Sequence, residues 1–134
     1  MEQQTDPDPV IRVVSFGYLH SGPPTGAHLV ADVRAHFRDP HVSAELRALT
    51  SSSALVRETV LNTPGVPDLI AALAAAAAAM AAGPARADVA VAVGCAGGKH
   101  RAPTIAQEIV VRLEASGLPA AHERWHEAEP VVNR

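Results

Sequence analysis

The run Asp88–Arg101, reading D-V-A-V-A-V-G-C-A-G-G-K-H-R, leaves few choices for the fold around it. Val89–Val93 shows no polar alternation, which suits a strand buried on both faces, as in parallel sheets. A loop follows at once with three glycines, Cys95, Lys99, His100 and Arg101, and Ala102 opens a segment with helical spacing. A strand that passes through a glycine loop into a helix exposes backbone N–H groups at the positive end of the helix dipole. With Lys99 and Arg101 on its rim, such a loop is a cradle for an oxyanion, and a phosphate or phosphosugar is the ligand it suits.

The rest of the chain supplies the elements that could hold this unit. Met1–Pro9 is acidic, contains proline, and reads as a disordered lead-in. Val10–Phe16 has strand character and ends at Gly17; Tyr18–Thr25 is loop; His28–Val33 is a second short strand, followed by Arg34. Ala35–His41 is irregular, and Ser43–Leu49 suits one or two helical turns capped by Ser43. Ser51–Ser53 offers the cap of a helix reaching about Leu61, Thr63–Pro67 is a turn, and Asp68 opens an alanine helix that Gly83-Pro84 stops. Pro103 falls in the first turn of a helix Ala102–Ser116, where proline is tolerated. Ile105, Ile109 and Leu113 make its core-facing stripe, and Gly117 ends it. Ala120–Trp125 is the last strand. Strands alternate with helices, so the expected class is α/β: one domain over 10–126, a mostly parallel sheet of about four strands flanked by helices, and a tail over 127–134.

Composition narrows the function classes. A chain of 134 residues suits one domain, and its apolar share of 48% rests largely on alanine, so the core gains from close approach more than from bulk. The net charge of −3 argues against wholesale nucleic-acid binding. One cysteine forms no internal disulfide, which suits a reducing compartment. The start of the chain lacks the apolar region of a secretory signal, and Leu69–Ala82 is too short to span a bilayer, so the expected setting is the cytoplasm, with no membrane partner.

If the strands are parallel, their C-terminal ends share one rim, where ligands sit in open α/β sheets. The first strand leads to Tyr18 and His20, the second to Asp32 and Arg34, the third into the glycine loop, the fourth to Arg124 and His126. Asp32 and Arg34 stand two apart and share a strand face. They read either as a surface ion pair, or as a guanidinium bidentate on a phosphate or sugar oxygen beside a carboxylate that accepts from a hydroxyl or amine. Gly97, Gly98 and neighbouring N–H groups are the expected phosphate donors, with Arg101 and Arg34 neutralising charge.

Cys95 to Arg101 also spells C-x5-R, the spacing of cysteine-dependent phosphatases, in which a thiolate attacks phosphorus and arginine holds the equatorial oxygens. In that alternative Cys95, Arg101 and the general acid Asp32 are catalytic; otherwise the cysteine packs beneath a bound anion. The seven histidines raise the question of metal, but there is no H-E-x-x-H and no cysteine pair, so neither a metal nor a cofactor is expected. His20, His41 and His100 suit donation to an anion, and His28 and His36 suit solvent. A lone tryptophan, Trp125, in a chain so poor in aromatics reads as a core anchor. The alanine helix reads as packing on its own sheet, or else as an interface for a partner helix.

Several segments together resemble the C-terminal domain of the RNase adapter protein RapZ family. They are Phe16–His20 (F-G-Y-L-H), Gly22–Pro24 (G-P-P), Asp32–Arg34 (D-V-R), Pro40-His41, Leu46–Thr50 (L-R-A-L-T) and Gly94–Arg101 (G-C-A-G-G-K-H-R), in the family's order across roughly Val13–His126. The resemblance implies a fold like a sugar-phosphate kinase subdomain that senses glucosamine-6-phosphate and binds a small regulatory RNA. The implied pocket maps onto Asp32, Arg34, His41, Cys95, Ala96, Gly97, Gly98, His100 and Arg101, and the strand-end and loop-rim groups His20, Lys99, Arg124 and His126 are accessory candidates beside it. It further implies a non-enzymatic regulatory module whose partner is a phosphorylated small molecule, with RNA, a partner protein or a second copy as further partners. Full-length members carry an N-terminal P-loop domain. The glycine loop here is one residue short of that motif and has His100 where Ser or Thr would hold magnesium, so nucleotide hydrolysis is not implied. The family's usual Thr and Ser in the loop are Ala96 and Ala102, and its basic C-terminal end is replaced by the acidic Glu127–Arg134.

Overall fold

Four runs rich in small and β-branched residues form one parallel sheet in the computed structural model, which describes residues 8–37 and 48–129. The strands are β1 (Ile11–Gly17), β2 (Leu29–Asp32), β3 (Val89–Cys95) and β4 (Ala120–Arg124), in the order β2-β3-β1-β4. The helices are α1 (Ala54–Leu61) and α2 (Val66–Ala81), between β2 and β3, and α3 (Arg101–Ala115), between β3 and β4. The α/β single-domain expectation holds, and every strand pair is parallel. β1 and β3 are central, with Ile11 opposite Val89 and Gly17 opposite Cys95. The helical turns expected over Ser43–Leu49 lie mostly outside the described residues.

Alternation decides what each strand face carries. Ile11, Val13, Val89, Val91, Val93 and Cys95 join the helices in one buried cluster. Val14, Phe16, Ala92 and Gly94 face the opposite way and are also buried. Among the described residues all three helices pack into the first cluster, so the helices that flank the sheet form a layer on one face. The α3 stripe is as expected: Ile105 and Ile109 are 0% and Leu113 2% exposed. Each such side chain contributes roughly 1.5–3 kcal/mol through burial.

The alanine helix packs within its own domain, through Ile70, Ala74, Ala77 and Ala81. It opens at Val66 rather than Asp68. Gly65 takes a left-handed φ of 91° as N-cap, and Pro67 sits in the first turn, where its missing N–H leaves no bond unmade. The proline that reads as part of a turn is thus inside the helix. No single helix among the described residues is long and apolar enough to cross a membrane.

Trp125 is not a core anchor. It lies just beyond β4, 37% exposed, and its indole N–H donates to Glu123 Oε1 at 3.1 Å. The core is filled by small residues from closely packed layers, and strand alternation carries β4's outer face to the surface.

Candidate functional site

Parallel pairing brings all four strand ends to one rim, the arrangement expected of parallel strands. At its centre the glycine loop lies flat on the end of β1. Tyr18 and Leu19 donate their N–H groups to the carbonyls of Cys95 and Ala96, at 2.9 and 3.0 Å. The contact tolerates no side chain: a Cβ on Gly98, which has φ 73°, would lie 2.7 Å from the Gly17 nitrogen. Gly94 is pinned in the same way on the other sheet face, where a Cβ would come within 2.5 Å of the Phe16 and Tyr18 rings.

The loop's donors divide. The Gly98 N–H points at Cys95 Sγ, 3.2 Å away, so this expected phosphate donor is committed to a protein atom. The amides of Gly97 and Lys99 meet no acceptor among the described residues. His100, the N-cap of α3, makes no side-chain capping bond, and its Nε2–H donates instead to the Leu49 carbonyl at 2.5 Å. Arg101 opens α3, with Nη1 out of solvent. The uncapped end of α3, two unpartnered loop amides and the charges of Lys99 and Arg101 form an electropositive concentration suited to an oxyanion.

Cys95 is 3% exposed and belongs to the core cluster. That is the environment of a packing cysteine beneath the loop rather than of an accessible nucleophile. Asp32, the general acid of the phosphatase alternative, stands opposite Gly94 and so projects from the other sheet face.

Asp32 and Arg34 hold each other. Arg34 Nε and Nη2 lie 3.0 and 2.7 Å from Asp32 Oδ1 and Oδ2, and the guanidinium lies 3.7 Å from the Tyr18 ring centroid. Arg34's hydrogen bond holds the Asp32 carboxyl below its ordinary range. Burial, followed by the Asp32 charge, pushes the Tyr18 hydroxyl up. The two residues share a face as the spacing required, but it is the face away from Cys95. His41 lies outside the described residues, and His28 and His36 are exposed as expected.

Two polar chains at this rim were not legible in sequence. Ser51, 6% exposed, donates through Oγ to Glu127 Oε2, and Glu127 Oε1 pairs with Arg124 at 3.3 Å. Arg57 Nη1 donates to the carbonyls of Ser51 and Ser52. Ser51 reads locally as one of three capping serines, and Glu127 as tail. The second chain runs from Ser15 Oγ–H to His122 Nε2 (2.9 Å) and from His122 Nδ1–H to Gln107 Oε1 (3.0 Å). Burial, then the Arg124 charge, lowers the His122 pKa to about 4, in keeping with a neutral imidazole that accepts from serine. This chain ties β1, β4 and α3 together, and its Ser15 end is 0% exposed. His126 occupies a different environment from His122: its Nδ1 accepts the Gly17 N–H at 2.8 Å.

The family model for the RapZ C-terminal domain matches residues 9–127. A nucleotide-binding protein of Frankia casuarinae is 41% identical over 109 residues, covering 79% of this chain and 37% of the relative. One from Streptomyces coelicolor is 39% identical over 118 residues, covering 84% and 39%. Another from Acidothermus cellulolyticus is 42% identical over 113 residues, covering 81% and 36%. The chain thus spans less than two-fifths of these curated relatives. With a match that runs through every strand and helix described above, the chain belongs to the RapZ C-terminal domain family.

Proposed function

We propose that this domain is a non-enzymatic regulatory module that binds a phosphorylated small molecule, a phosphosugar such as glucosamine-6-phosphate. The observation that carries the reading is the pair of unpartnered amides, Gly97 and Lys99, at the uncapped start of α3 beside Arg101. In this reading the two amides and the helix end bind the phosphate, and Lys99 and Arg101 balance its charge. Asp32 and Arg34, already paired and held by Tyr18, act as a preformed polar unit at the far side of the rim, with His41 as a further sugar-reading group. The buried Cys95 supports binding over turnover, because a thiol 3% exposed is poorly placed to attack a phosphorus.

The relatives are named for nucleotide binding, and nucleotides are the natural comparison ligands. Calorimetric titration with glucosamine-6-phosphate, inorganic phosphate and a nucleoside triphosphate tests the proposal. Saturable binding of the phosphosugar, lost in Arg101→Ala, is the expected result. Silence from all three at millimolar concentration sinks it. RNA adapter activity is the alternative from a different class. It calls for retention of structured RNA that falls steeply with salt, and the net charge of −3 gives it little support.

A further inference from the structure

We propose that His126, backed by the His20 ring, is a titratable wall of the oxyanion site, so that an anion binds there together with a proton. The inference rests on the reading of the glycine loop as an oxyanion site and adds how that site is regulated. His126 is fixed from two sides. Its Nδ1 accepts the Gly17 N–H at 2.8 Å, so the neutral ring carries its proton on Nε2. Its Cβ would lie 3.0 Å from a Cβ on Gly98, which sets the imidazole directly against the loop. The His20 ring stands 5.1 Å away, tilted by 33°, and its Nε2 is buried without a hydrogen-bond partner among the described residues.

A buried imidazole nitrogen with no partner is costly to leave unmatched. An oxyanion seated on the loop supplies the missing acceptor. It also changes the charge balance around the pair. Without an anion, adding a proton to His126 sets a cation beside the His20 imidazole and near the loop that carries Lys99 and Arg101. Protonating His126 at Nδ1 further breaks its bond from Gly17. Burial, then His20, already holds His126 toward its neutral form, and the Glu129 charge works the other way. The Trp125 ring, edge-on at 6.1 Å, adds no charge. A bound oxyanion offsets the cations and stabilises an imidazolium next to it. One proton then passes from solvent to an imidazole nitrogen, and no bond of the ligand is altered.

Sulfate separates this protonation from that of the ligand, because it stays a dianion throughout the histidine range. Calorimetry on the whole chain, in two buffers of different ionisation enthalpy, reads affinity and proton uptake together. The expected result is sulfate binding roughly tenfold tighter at about pH 5.5 than at about pH 8, with uptake approaching one proton. His20→Asn and His126→Gln should each flatten that dependence, and the wild-type profile stands on its own if either variant folds poorly. Equal affinity and no proton uptake across the range overturn the wall while leaving the oxyanion site intact. Failure of both sulfate and phosphosugar to bind at every pH removes the site itself, and the wall with it.

Discussion

Arg34 donates to both carboxylate oxygens of Asp32 and lies flat against Tyr18, on the sheet face opposite Cys95. The pair is about half exposed on both sides. Two members of one expected anion pocket therefore neutralise each other instead of facing the glycine loop as free charges.

The binding contributions of the two arginines should differ accordingly. Arg101→Ala is expected to weaken phosphosugar binding by ~1–3 kcal/mol, the scale of a charged hydrogen bond. Arg34→Ala should weaken it clearly less. Asp32→Asn should change unfolding free energy by no more than about 1 kcal/mol, as for other exposed ion pairs. Calorimetry and urea denaturation read the two effects. An Arg34→Ala loss larger than that of Arg101→Ala would place the phosphate on the wrong side of the sheet.

His122 predicts how stability responds to acid. Its pKa falls from 6.5 in the unfolded chain to about 4 in the fold. As pH drops through 6.5 the unfolded state binds a proton that the native state refuses, so stability is lost between 6.5 and about 4 and levels off below. Allowing for the ring's partial exposure, the loss should be about 2 kcal/mol. Urea midpoints for wild type and His122→Asn check this. The variant should be less stable near neutrality, where Ser15 and Gln107 lose their partner, and flatter with pH.

The close contact between Gly17 and Gly98 should be intolerant of change. Gly98→Ala must adopt a φ of 73° and push its Cβ against the Gly17 nitrogen. A cost of about 2 kcal/mol or more is expected. A thermal melt indistinguishable from wild type would show that the loop does not rest on β1.

Core and surface positions on the helices should separate cleanly. Ile109→Ala, at a fully buried site, should cost ~2–5 kcal/mol. Met80→Ala, 43% exposed on α2, should stay within about 0.5 kcal/mol. Chemical denaturation of the two variants gives the comparison directly.

Much of the framework was legible because local chemistry dictates it. The unbroken β-branched run before Gly94 requires a covered strand, the spacing of Ile105, Ile109 and Leu113 requires a helix with one buried face, and proline and glycine mark the ends. Boundaries moved where a breaker also works inside an element. Pro67 sits in the first turn of α2, and Gly17 and Gly94 remain within their strands because Gly17 lies under the loop and Gly94 under aromatic rings. Trp125 was misread because composition says that a large apolar ring tends to be buried, while strand alternation decides which face it reaches.

What the sequence determined by itself is the unit of strand, glycine loop and helix, with its dipole, amides and basic rim, since those properties belong to neighbouring residues. Tertiary structure decided which groups meet across the sheet. It set Ser51 on Glu127, His122 between Ser15 and Gln107, and His126 between Gly17 and Gly98. Those partnerships follow from strand order and register, which are fixed by how buried faces pack together and leave no mark at any one position in the chain.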